Sequence, residues 1–526
     1  NCDKGRFGFV STRGEDRIRR PLVRRDGELK QVSWTEALAV AAAGLAKAKG
    51  KTGVLTGGRL TQETAYSYAR FARVVLGVND IDFRARAHSP EEQAFLGCQV
   101  AGRTFGQTAS YADIDVARRV VLVGFEPEDE APIVFLRLRK AVRKNKLSVQ
   151  VVAPRLSAGS RKLSAELVGA LPGAEAAALA ALALDAQTVV LAGERLASSP
   201  GALDAVAQAA EAAGARWAWI PRRPGEIGAL EAGAFPTLLP AGRPVDDAAA
   251  RAEAARLWGV ADLPSAPGRS TAEQLSALAA GDLAAVVVSG LELADLADPA
   301  AAAAALDAAG FVLSLEQRHS DVTAKADVVL PVTLLEETSG TFLNWEHRPG
   351  SVSQVIGKPS SPMTEIRVLA ALAEALGADL GWRTAAAAAA SLAQFAPWPG
   401  RRPPTAAAVP VPAVAPAPAG TALLASWREL IDDARLCDGE PALLAGARPI
   451  AARLNPATAD RLGLASAARV SLRGPAGALD FDLVLDPAVL DGVVWAPARA
   501  RGASLAVLGA APGSPVAVTA KEADRS

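Results

Sequence analysis

The sequence predicts an α/β protein built of two doubly wound, mainly parallel α/β blocks followed by a small β-barrel. Three observations carry that reading. Short β-branched runs alternate with Ala/Leu-rich helical stretches through the first two-thirds of the chain, as in parallel sheets covered by helices on both faces. An Ala/Pro-rich stretch over 383–420 then breaks the pattern and favours an extended, semi-rigid linker. Beyond it the β runs shorten and alternate between apolar and polar positions with close turns, as in a barrel. At 526 residues, 50% apolar and 21% charged, the chain is too long for one core and fits about three domains.

The first block spans 32–186, with strands expected at 53–56, 80–83, 119–124 and 147–152. Helices are expected from Thr61, with Glu63 in the first turn, and from Pro132, which suits a first helical position. The second block spans 187–332, with strands at 188–193, 216–221, 283–290, 311–315 and 326–331. Residues 333–382 form a return segment to the first block: a loop rich in Gly, Thr and Asn, then a helix from Thr364 closed by Gly377 as a C-cap. The linker 383–420 contains Arg401-Arg402-Pro403-Pro404 and the alternating prolines 410–418. Residues 421–526 carry the barrel runs at 470–474, 479–485 and 492–497.

Lys+Arg and Asp+Glu are 56 each, a formal net charge of +0, so no global positive field steers nucleic acid and none is expected as a partner. Cys2, Cys98 and Cys437 are too few and too far apart for a disulfide framework, which fits a reducing compartment and a cytoplasmic location. No run of about 20 apolar residues exists to span a membrane. Asn1-Cys2-Asp3-Lys4 has neither a starting Met nor an apolar signal core and reads as a chain entered in mid-domain.

Cys2 precedes Gly5 and Gly8, which let the backbone approach a cluster, but four-iron clusters take four cysteines and this chain supplies one there. Within the chain alone it reads as a free terminal cysteine, and Cys98 and Cys437 read as buried small hydrophobes. After the strand at 119–124, Glu126, Glu128, Asp129 and Glu130 occupy the turn where a doubly wound fold places a phosphate. Four carboxylates repel a pyrophosphate, so they are expected to complement the helix dipole themselves. The basic run from Arg137 to Lys146 at the far end of that helix reads as a solvated face. No strand is followed by Gly-x-Gly-x-x-Gly, so no NAD is expected. His88, His319 and His347 have no second His or Cys at ligand spacing and read as hydrogen-bonded structural residues. No nucleophile elbow or catalytic carboxylate pair is found.

The most specific stretch runs from Ala324 through Asp327-Val328-Val329-Leu330-Pro331, Glu336-Glu337-Thr338-Ser339-Gly340-Thr341-Phe342 and Asn344-Trp345-Glu346-His347-Arg348. It places a buried strand before a loop of small and hydrogen-bonding residues, at the sheet end where ligands dock. That stretch resembles the molybdopterin oxidoreductase superfamily, and in particular the G subunits of bacterial NADH:quinone oxidoreductase, respiratory complex I. Arg20-Pro21-Leu22-Val23-Arg24 with Val32-Ser33-Trp34-Thr35-Glu36-Ala37-Leu38, the region Tyr111 to Ala141, and Leu454-Asn455-Pro456 with Val493-Val494-Trp495-Ala496-Pro497 agree in order.

The resemblance implies the superfamily's two α/β blocks and dinucleotide-binding-like barrel, with 1–31 as the end of an iron–sulfur subdomain. It implies a structural part of the complex I peripheral arm, held on the inner face of the cell membrane through its partner subunits. It further implies that Cys2 is one ligand of a 4Fe-4S cluster whose other cysteines lie upstream of this chain. Molybdenum and tungsten enzymes of the superfamily place a Cys, selenocysteine or Ser on the metal. The corresponding segment here, Asp82 to Pro90, has no Cys, and Ser89 follows His88 instead of preceding it. Molybdopterin is therefore expected to be absent, with no catalytic residues. The rival reading is a formate-dehydrogenase-like bis-pterin enzyme with Ser89 or water on the metal, His88 as proton relay, and Gly340, Thr341 and Asn344 near the pterin.

Overall fold

The computed structural model describes residues 2–357, 361–405, 414–500 and 503–521. A seven-stranded sheet has the order Glu28–Gln31, Leu22–Arg25, Val328–Pro331, Phe311–Glu316, Ala285–Ser289, Thr52–Thr56, Ile81–Asp82. Its last five strands are parallel, and Leu22–Arg25 runs antiparallel between Val328–Pro331 and the edge strand Glu28–Gln31. The second sheet is all parallel: Glu166–Gly169, Ser148–Ala153, Arg119–Val123, Thr188–Gly193, Arg216–Ile220. Thr421–Ala425, Val493–Trp495, Ala451–Leu454, Ala478–Leu485, Arg469–Arg473 and Pro515–Ala520 close into a barrel. The α/β class, the parallel sheets and the barrel are those expected from the sequence.

The division into blocks is different. A boundary at 186/187 would cut the second sheet between Arg119–Val123 and its hydrogen-bonded neighbour Thr188–Gly193. The first sheet instead takes its middle from both ends of the α/β region, with Val287 beside Val54 on one side and Leu313 on the other. Sequential βα units look alike in local pattern, and only long-range pairing decides which sheet a strand joins. Residues 1–31 likewise divide: Leu22–Arg25 and Glu28–Gln31 are a hairpin of the first sheet, joined by Asp26 and Gly27 at φ 53° and 82°. Two consecutive left-handed residues make the tight turn that suits twisted strands.

The stretch 383–420 is not one extended linker. Ala385–Leu392 is a helix capped by Thr384 and packed on the helix Gln62–Arg70. Its anchor is aromatic: Trp382 stacks on Tyr66 at 4.9 Å and 11°, Trp382 Nε1 donates to Ser67 Oγ, and Ser391 pairs with the Tyr66 hydroxyl. Arg401 reaches Asp246 at 2.8 Å. Of the prolines 410–418, Pro410 and Pro412 lie outside the described residues. The helix Glu365–Ala375 packs on the helices Trp34–Lys47 and Gln62–Arg70, over the first sheet.

In both sheets the chain leaving a strand crosses its neighbour closely. A Cβ on Gly57 would lie 2.3 Å from the Gly290 carbonyl oxygen, and one on Gly193 would lie 2.3 Å from that of Gly124, so only glycine fits either crossing.

Candidate functional site

Three places carry the residues singled out by sequence: the Cys2 turn, the segment 82–90, and the cleft between the two sheets and the barrel. Cys2 is the N-cap of the short helix Asp3–Phe7, and its half-buried Sγ accepts the Gly5 N–H at 3.4 Å. An N–H aimed at the sulfur stabilises a thiolate, the form that ligates iron. Lys4 turns away to donate to the Leu430 carbonyl at 2.7 Å and Asp432 at 3.2 Å. Among the described residues no group of three His, Cys, Asp or Glu side chains can hold a metal ion. A four-iron cluster takes four cysteine ligands, so any cluster at the Cys2 turn would need three ligands from elsewhere. Cys437 is buried, as expected, whereas Cys98 is half-exposed, because the turn Leu96–Val100 that carries it faces a surface hollow.

The segment 82–90 is committed to structure. Ser89 is the N-cap of the helix Pro90–Phe95, its Oγ accepting the Glu92 N–H at 3.2 Å. His88 Nε2 accepts the Ala272 N–H at 3.4 Å, which leaves Nδ1–H to donate to the Arg86 carbonyl at 2.8 Å. Burial, aided by Arg84, holds the His88 imidazole below its ordinary pKa and so neutral. Asp82 and Arg84 form a fully buried fork, and Arg86 pairs with Glu92, Glu194 and Glu226.

The cleft has a volume of about 430 Å³ and is lined by Trp427, Leu196, Leu296 and Leu424 together with Arg195, Arg222, Arg223, Arg428 and Arg499. Sequence reasoning missed these arginines, because they sit at the ends of elements far apart in the chain. Asp295 is their hub, at 2.5 Å from Arg428, 3.0 Å from Arg223, 3.3 Å from Arg499 and 3.8 Å from Arg59. Burial pushes its carboxyl up, but Arg428, Arg223 and Arg59 more than offset this and hold it well below the ordinary range. Burial and Arg223 bring Arg59 down to about 10.

The acidic turn at 126–130 does more than complement a helix end. Glu126 does cap the turn Pro127–Glu130, accepting the Glu128 N–H. The other carboxylates take cationic partners, correcting the expectation that they act on the dipole alone. Asp129 accepts Arg448 at 2.8 and 2.9 Å and Trp427 Nε1 at 3.1 Å, Glu128 takes Arg448 and Lys162, and Glu130 takes Arg195. The turn is thus the seat on which the barrel docks. Burial lifts Glu126 to about 7.

Gly340, Thr341 and Asn344 do not line the cleft. A Cβ on Gly340 would meet Thr61 at 2.7 Å, the Thr341 N–H donates to Glu63, and Asn344 Oδ1 organises its own turn through the Glu346 and Arg348 N–H groups. His347, expected to be hydrogen-bonded, has a buried Nδ1 with no hydrogen-bond partner among the described residues, 3.7 Å from Glu231. Burial, with Arg103 nearby, brings it down to about 4.

A bis-pterin cofactor does not fit these residues. The one candidate ligand hydroxyl is spent on a helix cap, the cleft arginines are largely committed to carboxylates, and about 430 Å³ lies near the low end of the ~300–1,000 Å³ typical for a single ligand. No helix among the described residues is long and apolar enough to cross a membrane.

Over its length the chain is 47% identical to the G subunit of NADH-quinone oxidoreductase from Mycobacterium bovis, an alignment covering 96% of this chain and 64% of the relative. It is 46% identical to the protein of the same name from Streptomyces coelicolor, with the same coverages. The chain thus spans about 64% of the length of the curated relatives it matches. The F420-dependent formate dehydrogenase subunit alpha of Methanocaldococcus jannaschii is 30% identical over 155 residues, 29% of this chain and 22% of that protein. Among solved structures, acetylene hydratase from Pelobacter acetylenicus superposes with a TM-score of 0.60 at 16% identity, covering 94% of this chain and 87% of that one, and so shares the fold. Residues 17–375 match the family described as Molybdopterin oxidoreductase, and the chain belongs to that family.

Proposed function

We propose that this chain is the molybdopterin-enzyme-like part of the G subunit of NADH:quinone oxidoreductase, a non-catalytic structural platform in the peripheral arm. Partner subunits of that complex hold it at the inner face of the cell membrane, and it keeps no molybdopterin. The observation that carries this reading is the likeness to those G subunits, 46–47% identity along 96% of the chain. The geometry supports it, because the superfamily's cleft here is braced by ion pairs between the sheets and the barrel. In the full-length protein Cys2 would be one of four ligands of a 4Fe-4S cluster, a group that accepts and returns single electrons. The residues of this chain hold Cys2 at a helix start and, through Lys4 and Asp432, tie its turn to the segment leading into the barrel.

The test is metal content and electron paramagnetic resonance of the assembled complex with Cys2→Ser in its full-length subunit. Loss of one iron–sulfur signal with NADH oxidation nearly unchanged is expected, and molybdenum and tungsten should both be absent. Stoichiometric molybdenum or tungsten with pterin would overturn the structural reading. A large loss of quinone reduction would overturn the assignment of the cluster as a side branch.

A further inference from the structure

From the geometry of one surface hollow remote from the cleft, we infer that it is a docking site for an acidic segment of a partner protein. The hollow, about 680 Å³ and open to solvent, is lined by Arg103, Arg216 and Arg402 together with Cys98. The three guanidiniums arrive from three parts of the chain, and each is oriented by uncharged groups, Arg216 with Asp113 also at its Nε. Arg103 lies over Trp217 at 5.0 Å and donates to Gln99 Oε1 and the Gln107 carbonyl, both at 3.3 Å. Arg216 donates to the Gly106 and Thr108 carbonyls, and Arg402 to the Cys98 carbonyl at 2.7 Å.

Carboxylates are sparse around them. Asp113 stands 3.7 Å from Arg216 Nε, and among the described residues no ion pair is found for Arg103 or Arg402. Glu211 is the acid whose charge next reaches Arg103, while Arg402 crowds it with like charge. Glu231, beneath the loop, is lifted to about 8 by burial, which weakens its charge toward Arg402. Pre-oriented guanidiniums in excess over nearby carboxylates attract a pair of carboxylates from outside. Phe105, which precedes the lining residue Gly106 in the chain, is half-exposed with Arg348 4.2 Å above its ring, the Arg and aromatic combination that anchors protein interfaces. An open rim with an apolar anchor suits a peptide segment better than a small enclosed anion.

Cys98 supplies the probe. In the full chain, iodoacetamide modification of Cys98 is followed by mass spectrometry with Cys2 as internal control, with and without an acetylated peptide of four glutamates flanked by leucines. The peptide should slow Cys98 modification by about fivefold at low ionic strength, and the effect should vanish near 0.5 M salt, as expected for an exposed charge contact. The double variant R216Q/R402Q, which leaves Arg103 on Trp217, should lose the protection while keeping the parent melting temperature. Unchanged Cys98 modification, or equal protection in the double variant, would overturn the proposal. Equal protection by inorganic phosphate alone would also overturn it, in favour of a small oxyanion site. Should the double variant melt lower, the single variant R402Q, whose side chain is exposed, serves in its place and should lose part of the protection.

Discussion

Replacing Glu231 by Gln should make the opening of the loop 101–103 insensitive to pH. Glu231 is 9% exposed, accepts the Gly102 N–H at 2.7 Å, and is raised by burial from 4.5 to about 8. An acid raised in the folded state is protonated there while its unfolded form is already ionised. Its stabilising contribution is complete below about 4.5 and is lost as pH rises to about 8. The shift of 8 − 4.5 units, at about 1.4 kcal/mol per unit, sets an upper bound near 5 kcal/mol. Water entry beside the surface hollow and partial opening of the loop reduce this to on the order of 2 kcal/mol, about a 30-fold change in opening. A chain of several domains does not unfold in one step, so the assay is hydrogen exchange of the peptide containing Gly102, corrected for intrinsic rates. Wild type and Glu231→Gln should match near pH 5, and at pH 8.5 the wild-type loop should exchange about 30-fold faster than the variant. An identical pH dependence in the two proteins would refute the reasoning.

Arg448→Met should loosen the barrel by about 1–3 kcal/mol, because Asp129 loses a two-pronged partner in a partly exposed site, and proteolysis between the helix Ala385–Leu392 and Thr421 should accelerate. Gly268→Ala should destabilise by more than about 2 kcal/mol, read as a lower melting temperature, since its Cβ would fall 1.9 Å from the Asn79 carbonyl oxygen. Trp382→Ala, at a position 6% exposed and stacked on Tyr66, should cost about 3–5 kcal/mol and speed trypsin cleavage after the already exposed Arg383 by loosening its backbone.

The α/β class, most strands and the barrel were legible because β-branched runs such as Val120-Val121-Leu122-Val123 and Val286-Val287-Val288 become buried central strands. The helix start at Thr61 was legible too, where Thr61 takes the Thr64 N–H, whereas the caps at Ser33 and Ser89 emerged only from the fold. The allocation of strands to sheets was not, because Thr52–Thr56 and Ala285–Ser289 are neighbours across more than two hundred residues. The hairpin at 22–31 carried a readable Asp26-Gly27 signal that the long-range pattern obscured. The helix Ala385–Leu392 hid in a composition that also suits a linker, its identity resting on Trp382 and Ser391 reaching Tyr66. The cleft arginines and the hollow around Cys98 were invisible to any local motif, since their partners are assembled only by the fold.

The placement of Ala285–Ser289 between Thr52–Thr56 and Phe311–Glu316 also sets an order for biosynthesis. The second sheet ends at Ile220, so its five strands are complete on an emerging chain while the first sheet still lacks its middle. The hairpin Leu22–Arg25/Glu28–Gln31 and the pair Thr52–Thr56/Ile81–Asp82 must wait for their central partners through roughly two hundred residues of translation, a long-range closure of the kind that slows folding and invites chaperones. The turn bearing Cys2 waits longer still, because Leu430 and Asp432, which hold Lys4 in place, are made after both sheets. Any metal delivered to that turn would meet its finished surroundings only after residue 432 has been made, which sets assembly of the α/β region before maturation of the thiolate.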